Sequence, residues 1–144
     1  MVEIRAMAVS DYRAVFLLFS ETPGVTVRDA DSYESIVQYL ERNPGLSFVA
    51  ADRGCIVGCV LCGHDGRRGY LHHLVVSSPY RGKGIAKLLV SHCVEALGQL
   101  GIKKSHVDVL VTNSGARTFW SKIGWHQRDD IFRYSFISSG EGDA

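Results

Sequence analysis

Four groups of residues in the chain have the types and spacing to do chemistry. The first is Arg81-Gly82-Lys83-Gly84, set between the apolar run Tyr70–Val76 and a helical pattern that begins at Ile85. Backbone N–H groups at a helix N-terminus, aided by the helix dipole, make an anion site. Glycines let a phosphate approach the backbone and permit positive φ. The loop therefore reads as a pyrophosphate cradle with Arg81 and Lys83 at its rim; the competing reading is an ordinary glycine-rich turn. It does not match the P-loop or the dinucleotide fingerprint, because Lys87 stands where the latter needs glycine or alanine. The second group is the adjacent pair His72 and His73. Imidazole titrates near neutral pH, so either could serve as a base. Strand alternation sends the two to opposite faces, so at most one of them faces the substrate. The third is Asp108, an acid on the alternating run after the helix, which could otherwise partner His106 or a lysine. The fourth is Cys59 and Cys62, whose spacing invites a metal or redox reading. On a strand they point to opposite faces, and no second pair completes a zinc set. They read as buried thiols, and no metal is expected.

The elements that must position these residues follow from hydrophobic period. The 144 residues, 46% hydrophobic and 22% charged with a net charge of +1, suit one domain with a real core. No basic face argues for nucleic acid, no apolar run reaches the ~20 residues of a membrane span, and no signal peptide opens the chain. A cytoplasmic protein, monomeric or homodimeric, is expected. Val2–Ala6 reads as a strand, followed by a helix capped at Ser10 or Asp11. Asp31 and Glu34 have capping-box spacing before a helix carrying Tyr33, Ile36, Val37 and Leu40. Ser47–Ala51 and Cys55–Cys62 read as a hairpin, and Tyr70–Val76 as the fourth strand. Ile85, Leu88, Leu89, Cys93, Ala96, Leu97 and Leu100 mark a long helix ended by Gly101. His106–Thr112 alternates as a strand. Asn113 opens a last helix with Ala116, Phe119, Trp120 and Ile123 on one side, ended by Gly124. Trp125–Gln127 and Ile131–Ile137 read as a final strand pair. The domain spans residues 1–137, with 138–144 a polar tail expected to be disordered.

Two stretches of this pattern resemble the GNAT superfamily of N-acetyltransferases. Arg81-x-x-Gly84-x-Ala86 is similar to its acetyl-CoA motif. Asn113-x-x-Ala116-x-x-Phe119-Trp120-x-x-x-Gly124-Trp125 is similar to its second signature. The resemblance implies an α/β (α+β) fold with a mixed, mostly antiparallel central sheet of six to seven strands and about four helices. It implies acetyl-CoA as cosubstrate and direct transfer of acetyl to a primary amine, small-molecule or peptide. The main chain of Leu74, Val75 and Val76 would pair with the pantetheine arm, with an N–H near Val76 facing the thioester oxygen. The amides of Arg81, Gly82, Lys83, Gly84, Ile85 and Ala86 would hold the pyrophosphate. Asn113, Phe119 and Trp120 would flank the thiol end. His72 and Asp108 stand at positions that supply a base in some members. The sequence departs from the family at Trp120, where a tyrosine usually protonates the departing thiolate. The acceptor pocket is expected from Ser20–Asp31 and the last strand pair, with Arg28, Asp29 and Tyr33 as candidates. A non-catalytic acetyl-CoA-binding module is the alternative, and a phosphate-binding adaptor unrelated to CoA a third reading.

Overall fold

The computed structural model describes residues 1–139. Five strands form one sheet in the order β1-β2-β3-β4-β5, with β1 Val2–Ala6, β2 Phe48–Asp52, β3 Cys55–His64, β4 Gly69–Val76 and β5 Ser105–Val107. The first four pair antiparallel; β5 pairs parallel with β4. Four helices flank the sheet: α1 Tyr12–Glu21, α2 Tyr33–Arg42, α3 Ile85–Gln99 and α4 Ser114–Lys122.

Each face of the sheet carries its own core. One holds Val60, Cys62 and Leu71 from the strands, Ile85, Leu89, Val90, Cys93 and Leu97 from α3, and Trp120 from α4. The other holds Val49, Cys59, Leu61 and Val75 under Val15 and Phe19 of α1 and Ile36 of α2. Cys59 and Cys62 thus face opposite sides, as alternation requires. At about 1.5–3 kcal/mol for each large apolar side chain removed from water, these two layers supply the main drive for folding. In α3 the buried stripe runs Ile85-Leu89-Cys93-Leu97, four residues apart, whereas Leu88 and Leu100 lie outside it and are half exposed. The start of β4 meets this stripe closely: a Cβ at Gly69 would sit 2.5 Å from Leu97 Cδ1 and 2.7 Å from Ser105 Oγ. Any larger residue there would force the Leu97 or Ser105 side chain to move.

The helix starts differ from expectation in an informative way. Asp11 does not cap α1. Its carboxylate takes both Arg5 guanidinium nitrogens (2.8 and 2.9 Å) and the Ala8 N–H (2.8 Å), tying β1 to the turn before the helix. Ser32, not Asp31, caps α2 by accepting from the Ser35 N–H. Asp31 is thereby free for other partners. The ends of α3 and α4 fall where glycine directs them, with Gly101 at φ 81° and Gly124 at φ 96°.

Two strand expectations are corrected. The alternating run His106–Thr112 forms a strand only at its start, because β5 ends at Val107. Residues 125–139 form no strand pair; Phe132, Tyr134 and Phe136 are almost fully exposed there. Their alternation satisfies a local rule, but a strand also needs a hydrogen-bonding neighbour, and the sheet ends at a three-residue β5. Among the described residues the sheet therefore has five strands rather than six or seven. The expectation for the polar tail falls mostly on residues outside the described range.

Candidate functional site

The parallel pairing of β4 with β5 stops at Leu71 opposite Val107. From His72 to Val76 no described strand pairs with β4 on that edge, which leaves a gap in the sheet. The Ser77 N–H returns to the Val57 carbonyl (2.8 Å). Alternation then directs the main-chain groups of Val76 to the opposite, open edge. The Val76 carbonyl there accepts from Arg81 Nε (2.9 Å), which fixes the arginine at the mouth of the gap.

On the α3 side the gap opens into a cleft of about 190 Å³ lined by Leu74, Val76, Arg81, Ala86, Phe119 and Trp120, together with Ala116. Six of those seven are residues for which the family resemblance implies cofactor contact; Ala116, a position of the second motif, is the addition. Val75 points to the other face and is buried there. At the head of α3, Gly82 and Gly84 have φ of 76° and 82°, and a Cβ on either would meet no atom within 4 Å. The glycines are therefore needed for backbone conformation, and the space above them is open. The first helical bond runs from the Leu88 N–H to the Gly84 carbonyl (3.1 Å), so the N–H groups of the preceding turn have no acceptor in the helix. Lys83 lies over the Tyr80 ring, 5.6 Å from its centroid. The Tyr80 hydroxyl donates to Asp52 at 2.6 Å. A narrow apolar cleft leading to a ring of unpaired amides and an arginine suits a long thioester arm ending in a pyrophosphate.

Asn113 does not line this cleft. Its Oδ1 caps α4 by accepting from the Ala116 N–H (3.0 Å). Its Nδ2 lies against Gly24, where a Cβ would come within 2.9 Å, so the segment that follows α1 touches the start of α4; the expected loop starts later than Ser20, because α1 runs to Glu21. Tyr33 is not at the gap either. It packs edge-on against Tyr12 and lines a separate open depression of about 780 Å³ beside α1.

The two histidines overturn the alternation argument. Between the pairs Cys59–Val75 and Leu61–His72, β3 has one residue and β4 has two. The extra residue is a β-bulge, and His73 adopts φ 49° within it. The bulge turns His73 onto the face that His72 occupies. His72 stands edge-on to Tyr39 of α2, 6.4 Å between ring centroids, and His73 packs 4.6 Å from the Phe19 ring of α1. Both therefore lie on the α1/α2 side of the gap, opposite the cleft. His72 is open to solvent on one side, yet protein crowds the rest of the ring. That desolvation, reinforced by the His73 charge, lowers its pKa. Asp108 and Arg133 are near enough to act on His72 through their charges, and Arg133 Nη2 donates to Asp108 Oδ1 at 3.0 Å.

His73 has a partner that local sequence patterns do not signal. Its Nε2 lies 2.9 Å from Oδ1 of Asp31, which is 42 residues away and buried. The other Asp31 oxygen accepts the Arg28 N–H (2.9 Å), and the Tyr12 hydroxyl donates to the Asp31 carbonyl (2.8 Å). Burial pushes the Asp31 pKa up, but the hydrogen bonds from His73 and Arg28 outweigh it, and the net shift is downward.

Comparison with known proteins bears on the family and the fold. A family model described as "Acetyltransferase (GNAT) family" matches residues 12–125. An acetyltransferase of Yersinia enterocolitica is 32% identical over 129 residues, covering 90% of this chain and 91% of its own. An N-alpha-acetyltransferase of Arabidopsis thaliana is 33% identical over 95 residues, 63% of this chain and 50% of its own. Among solved structures, the PaiA N-acetyltransferase of Thermoplasma acidophilum in complex with coenzyme A superposes with a TM-score of 0.81 at 20% identity, covering 91% of this chain and 93% of its own. The NatC complex bound to Gag peptide and CoA gives 0.75 at 23% identity, over 93% and 90%. At these identities the structures speak for the fold alone.

Proposed function

Because the chain belongs to the GNAT acetyltransferase family, we propose that it moves an acetyl group from acetyl-CoA to a primary amine by direct transfer in a ternary complex. The observation that carries this reading is the gap in the sheet. It joins an apolar cleft on the α3 side to a pair of histidines on the other, so thioester and amine would meet from opposite faces. Acetyl-CoA supplies the activated acyl group. Arg81 and the main chain from Gly82 to Ala86 would hold its pyrophosphate. Leu74, Val76, Ala116, Phe119 and Trp120 would enclose the arm, and the open-edge N–H of Val76 would stabilise the developing oxyanion.

The costs rank the remaining groups. A lysine-like amine of pKa ~10.4 costs about 4–5 kcal/mol to deprotonate at pH 7, whereas a thiol near ~8.5 costs about 2 kcal/mol to leave as thiolate. The base therefore matters more than the acid. His72, held uncharged by its surroundings, is the group we assign to take the proton of the entering ammonium, with Asp108 beside it as a charge that steadies the imidazolium. Small-molecule and peptide amines both fit this reading.

The test uses Gly84. Saturating CoA at ~100 times its dissociation constant stabilises the wild type by ~2.7 kcal/mol. Gly84→Ala meets no atom in the free protein but forces a side chain onto φ 82°, at about 1 kcal/mol of stability. The CoA-induced shift in Tm is expected to fall to a small fraction of the wild-type value, with acetyl transfer to an amine panel falling in step. Retention of the full shift would remove the cradle from the site.

A further inference from the structure

Amide formation removes two protons from nitrogen. An acceptor arriving as R–NH3+ gives up one to expose its lone pair. Attack forms the C–N bond and moves the carbonyl π pair onto oxygen. The nitrogen of that adduct is R–NH2+ and must lose a second proton. When the carbonyl re-forms, the C–S bond breaks and sulfur leaves with its electron pair. Trp120 lines the cleft, but an indole N–H neither accepts a proton nor delivers one at neutral pH. His72 accounts for one proton only.

The Asp31–His73 pair has the geometry for the other. Asp31 is ionised and can only accept, so in neutral His73 the proton resides on Nε2 and the lone pair on Nδ1. Among the described residues no hydrogen bond occupies Nδ1. The ring is held by the carboxylate and by the tilted Phe19 ring, on a backbone at φ 49° that is uncommon for any residue but glycine. Asp31 is itself fixed by the Arg28 N–H and, through its main chain, by Tyr12. The charged or titratable groups around the two histidines are Asp31, Tyr12, Tyr39, Cys59, Asp108 and Arg133.

We propose that His73, oriented by Asp31, is a second catalytic base that takes the remaining proton from the nitrogen once the C–N bond has formed. This rests on the acetyl-transfer reading above. The His73 imidazolium faces the Asp31 carboxylate, its proton passes to solvent, and the departing CoA thiolate is protonated from solvent. Asp31 is a positioning residue, since it acts through His73.

The two histidines then differ in pH dependence. Turnover of His72→Gln, His73→Asn and Asp31→Asn is to be measured from pH 6 to 10 with a polyamine, an aminoglycoside, an arylalkylamine and a peptide with a free N-terminus. Asparagine is chosen at 73 because it tolerates the left-handed backbone. The His72→Gln deficit shrinks as pH rises, because the amine then deprotonates unaided. The His73→Asn and Asp31→Asn deficits, of about tenfold to hundredfold in kcat, persist at high pH, with the KM for acetyl-CoA and the CoA-induced Tm shift unchanged. Nitrogen-15 NMR of the resting protein shows His73 as the Nε2–H tautomer, and Asp31→Asn abolishes that preference. Wild-type kcat in both dyad variants, a deficit that vanishes at high pH, or an Nδ1–H tautomer overturns the second base while leaving acetyl transfer intact. A wild type that acetylates none of the panel overturns the transfer reading and the second base with it. If His73→Asn does not fold, Asp31→Asn decides.

Discussion

At the scale of single residues, Trp120 serves two ends. It is buried, packs against Phe119 and Trp125 with centroids 5.2 and 4.6 Å away, and still presents part of its ring to the cleft. Its replacement by tyrosine trades an indole for a smaller ring. Trp120→Tyr is expected to lose about 1–2 kcal/mol of stability through imperfect filling. Turnover, measured below the melting range, is expected to change by no more than about tenfold, or roughly 1.4 kcal/mol, because thiolate is already a fair leaving group. A large gain in kcat would show that protonation of sulfur limits the wild type. Loss of the CoA-induced Tm shift would assign the indole to cofactor binding rather than packing.

At the scale of elements, the β4 bulge and α1 act as one unit. Phe19 lies on the buried face of α1, 1% exposed, and its ring is the floor on which His73 rests. Phe19→Ala removes that floor and is expected to cost about 3–5 kcal/mol. Phe19→Leu keeps most of the volume, and about 1 kcal/mol is expected. Chemical denaturation measures both. If α1 packing also fixes the imidazole, the His73 ring signals in the Phe19→Leu variant will broaden or shift while those of His92, on the far side of the sheet, stay put. Unchanged His73 signals would mean that Asp31 and the backbone suffice to orient the ring. The same logic explains why α2 begins two residues after Asp31: Ser32 takes over the cap, and the carboxylate is left for the histidine.

At the scale of the whole molecule, the shifted groups give stability a definite pH dependence. Asp11 is held below the ordinary carboxylate range by the hydrogen bond from Arg5, and Asp31 by His73 and Arg28 against the opposing effect of burial. The unfolded chain takes up protons at these sites first, near pH ~4, so stability falls as pH drops through the lower folded-state values. His72 is also shifted downward, through desolvation. Between its folded value and ~6.5 the unfolded chain again binds more protons, so here too stability falls with falling pH. Urea midpoints are therefore expected to decline in two stages, gently below about pH 6.5 and steeply below about pH 4. His72→Gln should flatten the upper stage and Asp11→Asn should reduce the lower one. A wild-type midpoint that is level from pH 8 to 5 would contradict the His72 shift.

The features that the chain determined by itself are those decided within a few residues. The glycines at 82 and 84, the stripe Ile85-Leu89-Cys93-Leu97 and the stops at Gly101 and Gly124 follow from short-range sterics and helical spacing, and they set the start, the buried face and the end of α3 and the end of α4. Opposed faces for Cys59 and Cys62 follow equally from the two-residue period of a strand. What only the tertiary structure decided begins where that period breaks. One extra residue in β4 carries His73 across the sheet, and nothing in the alternation of "YLHHLVV" marks it, because a bulge is a property of the pairing between two strands. Asp31 reaches His73 across 42 residues through the packing of α1 and α2 on the sheet. The runs after Val107 and around Ile131–Ile137 alternate as strands should, yet without a hydrogen-bonding neighbour the pattern alone does not make one. Local preference sets what a segment can become, and the neighbour that satisfies its backbone decides whether it does.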